Sequence, residues 1–136
     1  FETFVSWSAL EGLCERVKKR VGWEHRSLGL RGHAFVTHRV TQLYPEGACV
    51  YFYLAIYAEG VRDPPGVFAK LEEAARDEIL ASGGSLSHHH GVGKARADFM
   101  SRVSSPVMSE LVQGMKRALD PANVLAARNH LFAPQA

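Results

Sequence analysis

The sequence predicts an α+β fold: an antiparallel sheet with helices packed on one face, followed by a C-terminal helical tail. Three observations predict it. Two runs rich in Val, Thr and aromatics, HAFVTHRVTQLY and ACVYFYLAIYAE, flank a short Pro/Gly turn and read as a hairpin. Apolar residues before and after this hairpin recur at helical spacing. Beyond Gly93 the apolar residues recur every four positions with no second set of strand-like runs.

Trp7, Leu10, Cys14, Val17 and Val21 share one helical face, so a helix is expected over 7–21, with Ser6 or Ser8 as its cap. The Gly-punctuated stretch 22–33 reads as a loop. The strands are expected at 34–44 and 48–58. On the second, Val50, Phe52, Leu54 and Ile56 form an apolar face, and Cys49, Tyr51, Tyr53, Ala55 and Tyr57 form the other. A helix over 65–81 is punctuated at both ends. Asp63 caps it, Pro64 and Pro65 suit its first turn, Gly83-Gly84 stops it, and Phe68, Leu71, Ala75 and Ile79 face inward. Phe99, Val103, Val107, Leu111, Met115 and Leu119 continue as helix, with Pro106 breaking it in two.

Composition excludes several classes. The 136 residues fit one domain, and the net charge of +2 comes without a basic block, which argues against a nucleic-acid partner. No apolar run reaches the ~20 residues of a membrane span. Cys14 and Cys49 read as buried thiols of a reducing compartment. The opening FETFVSW has neither an initiator Met nor a secretory pattern and reads as a piece of a larger parent.

The stretch GGSLSHHHGVGK, from Gly83 to Lys94, is the chemically conspicuous one. Adjacent histidines diverge and cannot close a tetrahedral site, and His25, His33, His38 and His130 lie at no ligand spacing from them, so no metal is expected. Histidine does supply acid, base and hydrogen-bonding roles near neutral pH, and flanking glycines let backbone approach a ligand. The residues alone leave a catalytic loop and an incidental polar loop both open. Arg39 is a charge inside a strand otherwise apolar and Thr-rich; it is either a surface arginine or an anion contact. With a two-residue turn at Pro45-Glu46, Val40 faces Tyr51 and Arg39 points to the opposite face, unless a bulge shifts the register.

FETFVSW, RVTQLYPEGACVYFY, EEAARDEILASGGSLSHHHGVGK and DPANVLAARNHL, in that order, resemble the C-terminal cap part of the alkylglycerone-phosphate synthase family. These are FAD-linked enzymes of the vanillyl-alcohol oxidase type. The resemblance covers nearly the whole chain and is weakest at 22–32 and in the helix after Lys94. In related flavin-dependent D-2-hydroxyacid dehydrogenases the loop reads S-G-E-H-G-[IV]-G. Here His88 and His89 stand for the Gly and Glu, while His90, Gly91, Val92 and Gly93 match.

The resemblance implies a cap portion over 1–94 and a tail over 95–136 that returns towards an FAD-binding domain not included in this sequence. It implies a reaction that exchanges the acyl chain of acyl-dihydroxyacetone phosphate for a fatty alcohol, FAD-dependent yet without net redox. Tyr51 matches the family's catalytic tyrosine. His88, His89 and His90 would serve the alcohol and the anionic groups, Arg39 the substrate, and Gly91, Gly93, Arg128 and Asn129 the flavin. A phenol acting as base needs a depressed pKa, for which cationic histidine would help. Alone, this chain is expected to be inactive and to bind no FAD tightly. The location implied is peroxisomal in a eukaryote and cytoplasmic in a bacterium; peripheral membrane contact and a homodimer stay open. Two other readings remain: the cap of a flavin-dependent 2-hydroxyacid dehydrogenase or oxidase, and a non-enzymatic α+β binding module.

Overall fold

In the computed structural model, which describes residues 1–127, 129 and 132, the sheet has three antiparallel strands in the order β1-β3-β2. β1 is Glu2–Ser6, β2 is Phe35–Leu43 and β3 is Gly47–Ala55. The expected hairpin is β2–β3. Tyr44 and Gly47 exchange backbone hydrogen bonds across the Pro45-Glu46 turn. β1 was not expected. It pairs with β3 through Glu2↔Tyr51 and Phe4↔Cys49 and makes β3 the central strand. Both strands of the hairpin are shorter than expected, and Tyr57 lies beyond β3, bonded to Glu59.

Helix α1, Leu10–Ser27, departs from expectation at both ends. It starts after Trp7, at Ala9, without a side-chain cap. Trp7 instead donates its indole N–H to the Tyr44 carbonyl at 2.9 Å and pins the hairpin turn. The helix then continues through Gly22 to Ser27. The buried stripe Leu13, Val17, Val21 and His25 extends one turn past the glycine, and Arg20 pairs with Glu24 across it. Burying that last turn outweighs the ~1 kcal/mol a mid-helix glycine costs. Helix α2, Pro64–Ala81, is as expected: Asp63 accepts from Gly66 N–H at 3.1 Å, and Gly83 follows at φ +80°.

Val5, Val50 and Phe52 from the sheet, Leu13, Cys14, Val17 and Val21 from α1, and Leu71, Ala75 and Ile79 from α2 form one core. The helices therefore cover one sheet face and leave the other for the site. Residues Phe1–His88 form one compact unit and His89–Ala136 a second. In the second, a 3₁₀ turn, Ala97–Phe99, leads into α3, Met100–Val103, and then α4, Pro106–Leu119. Ser104 is extended, and Ser105 caps α4 by accepting from Met108 N–H at 3.1 Å, so Pro106 divides the helix as expected. Among the described residues no helix is long and apolar enough to cross a membrane.

Candidate functional site: a tyrosine row and a histidine loop

The register of β2 against β3 decides what shares a face with Tyr51. From Leu43↔Ala48 and Gln42↔Cys49 the pairing slips at Thr41, and the strand resumes as Val40↔Val50 and Arg39↔Tyr51. A bulge therefore puts Arg39 beside Tyr51, where a regular ladder puts it opposite Phe52. The reason is hydrophobic. The regular register points Arg39 at the helices, opposite Phe52; the bulge puts the half-buried His38 there, with the half-buried Val36 opposite Leu54, and turns Arg39 out to solvent. Burying a guanidinium without a partner costs far more than one unpaired ladder position. Arg39 is exposed, with its guanidinium carbon 5.8 Å from the Tyr51 ring centre and 5.7 Å from that of Tyr53.

On the other side of Tyr51, in β1, stands Glu2. Its side chain is fully buried. One carboxylate oxygen accepts from Ser87 Oγ at 2.8 Å and the other from the backbone N–H of His88 at 2.7 Å. The loop reaches β1 through Ser85: its N–H donates to the Phe4 carbonyl, its hydroxyl accepts from Phe4 N–H, and its carbonyl accepts from Thr3 Oγ1. The chain leaving α2 thus closes the free edge of β1 and turns His88 onto the polar face. There the imidazole lies 6.4 Å from the Phe4 ring and 5.5 Å from that of Tyr44. His88 Nε2 and the Tyr44 hydroxyl share a 2.9 Å hydrogen bond whose direction follows the imidazole tautomer.

The row Arg39–Tyr51–Glu2, with His88 held by Glu2, is what the first unit brings together. The Tyr51 phenol is pushed above its ordinary pKa, by burial first, then by Cys49 and Glu2, with Arg39 acting the other way. The depression expected from the sequence is reversed by this chain's own groups. Glu2, Tyr44 and Ser87 were not anticipated. For Glu2 the one sequence signal was a carboxylate alternating with apolar residues in a short strand-like run.

His89, His90, Gly91, Gly93 and Asn129 belong to the second unit. His89 and His90 are exposed, with ring centres 4.2 Å apart. Gly91 and Gly93 adopt left-handed backbone at φ +73° and +55°, and Arg96 donates to the Gly91 carbonyl at 2.6 Å. Asn129 is half-buried and uses its backbone in a turn, donating to Ala126 and accepting from Phe132. Arg128 lies outside the described residues.

Comparison with known proteins gives three findings. The family described as FAD linked oxidases, C-terminal domain, matches residues 1–129. The alkyldihydroxyacetonephosphate synthase of Caenorhabditis elegans is 44% identical over 95% of this chain and 22% of its own length, and that of Dictyostelium discoideum is 28% identical over 93% and 20%. The chain thus spans about a fifth of the length of these curated relatives. A solved alkyldihydroxyacetonephosphate synthase structure superposes with a TM-score of 0.60 at 21% identity, covering 93% of this chain and 19% of that one, and shares the fold.

Proposed function

Because this chain belongs to the C-terminal domain family of the FAD linked oxidases, we propose that it forms the substrate-facing cap of an enzyme with alkyldihydroxyacetonephosphate synthase activity. Acyl-dihydroxyacetone phosphate and a fatty alcohol enter; the ether-linked product and the fatty acid leave. The alcohol's proton departs with the carboxylic acid, so no electron acceptor is consumed. The observation that carries the reading is the row Arg39–Tyr51–Glu2, with the His88 loop bonded to it, in a chain so similar to the C. elegans synthase.

The residues fit FAD at its reacting side. Within the first unit a phenol and a guanidinium share one sheet face; within the second, Gly91 and Gly93 adopt left-handed backbone with open space where a Cβ would stand. Gly91, Gly93, Arg128 and Asn129 would contact the flavin; an FAD-binding domain of the same protein would hold the rest. When bound, FAD supplies an electron-accepting ring beside the reacting carbon. Arg39 holds the substrate phosphate, since guanidinium forks suit that anion. Tyr51 moves the substrate C–H proton. Its raised pKa makes it a phenol at rest and a strong base once ionised, and Arg39 favours that ionisation. His88, His89 and His90 take the alcohol proton and hold the leaving carboxylate. In a eukaryotic cell the enzyme is peroxisomal.

The test is Tyr51→Phe in the full-length, FAD-loaded protein. Ether formation should vanish while flavin absorbance stays at the wild-type level. A variant with wild-type turnover makes Tyr51 a packing residue. A wild type that makes no ether but passes electrons from a 2-hydroxy acid to an acceptor replaces the synthase reading by the dehydrogenase one.

A further inference from the structure

We propose that Glu2 is a positioning residue of this site: a buried carboxylate that fixes the backbone of the histidine loop at His88, and through it the imidazole, over the face that carries Tyr51. The kinetic consequence rests on the synthase reading above; the structural one does not.

Glu2 is as inaccessible as the core leucines, yet it is an acid. A carboxylate removed from water persists only where hydrogen bonds replace its hydration. Both of its oxygens go to the loop, one to Ser87 Oγ and one to His88 N–H. Bonds to an ionised acceptor are shorter and roughly twice as strong as neutral ones. The anchors from Ser85 to Thr3 and Phe4 are neutral and lie three residues short of His88, and the buried Arg76 guanidinium donates to the Leu86 carbonyl at 3.4 Å, two residues short of it. Glu2 is therefore the charged anchor at His88 itself, and it grips the peptide N–H of the residue it positions. Being buried, it touches no substrate; it acts through His88, beside the smaller effect of its charge in raising the Tyr51 pKa. Because Glu2 stands directly across the ladder from Tyr51, one side chain sets the loop against the phenol's own row.

Two variants in the full-length, FAD-loaded protein separate positioning from simple support of the fold. Glu2→Ala removes both acceptors. Glu2→Gln keeps the shape and one acceptor oxygen while losing the charge. The first readout is amide hydrogen exchange at His88, expected to quicken at least tenfold in Glu2→Ala and to be partly restored in Glu2→Gln. The second is turnover per bound FAD, expected to fall about 10–100-fold in Glu2→Ala, since a 1 Å misplacement can cost that much. KM should stay within about threefold, and Glu2→Gln should recover part of kcat. Where Glu2→Ala fails to fold, the isosteric Glu2→Gln decides by the same two readouts. Unchanged His88 exchange in the variants overturns the proposal. So does a loss of stability with kcat per bound FAD unchanged. If the wild type forms no ether, the functional reading fails and the exchange result still decides the role of Glu2.

Discussion

Gly84→Ala should displace the histidine loop, and the structure gives the size of the effect. An added Cβ would lie 2.7 Å from Ile79 Cγ2, 2.8 Å from Thr3 Oγ1 and 2.9 Å from Leu13 Cδ1, which is 0.5–0.7 Å inside ordinary 3.4 Å contact. None of the three can retreat. All are buried, and Thr3 is tied to the Ser85 carbonyl at 2.7 Å. The loop backbone must give way instead, by a little over half an ångström. Overpacking of this kind costs about 1–3 kcal/mol, and a shift of that size carried on to His88 should lower kcat by about tenfold or more. Gly83→Ala is the matched control. Its Cβ meets nothing within 4 Å, but φ is +80°, so it should cost about 1–2 kcal/mol of backbone strain and leave the loop where it is. The assay is the denaturant midpoint, amide exchange at Ser85 and kcat per bound FAD, for both variants in the full-length protein. Wild-type midpoint, exchange and kcat in Gly84→Ala would refute the claim that the loop is clamped between α1, α2 and β1.

Arg39→Lys keeps the charge but loses the planar fork stacked near Tyr51 and Tyr53; the KM for the phosphate-headed substrate should rise about tenfold with kcat less affected, and an unchanged KM removes Arg39 from the substrate site. Single alanine variants of His88, His89 and His90 should each lose activity, at least one by ~10²–10⁴-fold, and zinc chelation should change nothing; activity that follows zinc content contradicts this. His25 is buried, and burial, then His33 and Arg26, pulls its pKa below the ordinary 6.5. A folded pKa below the unfolded one means the unfolded chain binds the proton first, so the stability His25 lends is whole above about pH 6.5 and is lost as pH falls from there through the folded pKa. His25→Leu should therefore flatten the drop in unfolding midpoint between pH 7 and pH 5, and equal slopes for both proteins would count against it.

The parts of this fold that could be read from the sequence are those set by neighbours in the chain. Alternation revealed the hairpin, Asp63-Pro-Pro the start of α2, and Pro106 the break before α4. The end of α1 was misjudged because Gly22 outweighed a stripe whose next member, His25, looked polar. The bulge at Thr41 was beyond local pattern: threonine suits either face, and what selects the slip is the contest between Arg39 and His38 for the place opposite Phe52. Tyr51, Arg39 and the histidines were legible as residue types. Glu2 was not, because its partners Ser87 and His88 are 85 and 86 positions away.

Those separations also set an order of assembly during synthesis. Glu2, Thr3 and Phe4 emerge well before their partners: the serines and the peptide N–H that satisfy them come more than 80 residues later. At the ~5–20 residues per second of translation, the outer rim of β1 waits roughly 4–17 s for its partners. Until then the nascent chain carries an uncapped strand edge and an acid that cannot yet be buried. The ring of His88 reaches its place beside Phe4 and Tyr44 only when that wait is over, so no shorter intermediate presents it on the face that carries Tyr51. The same closures span long stretches of chain and give the unit a high contact order, which slows its folding.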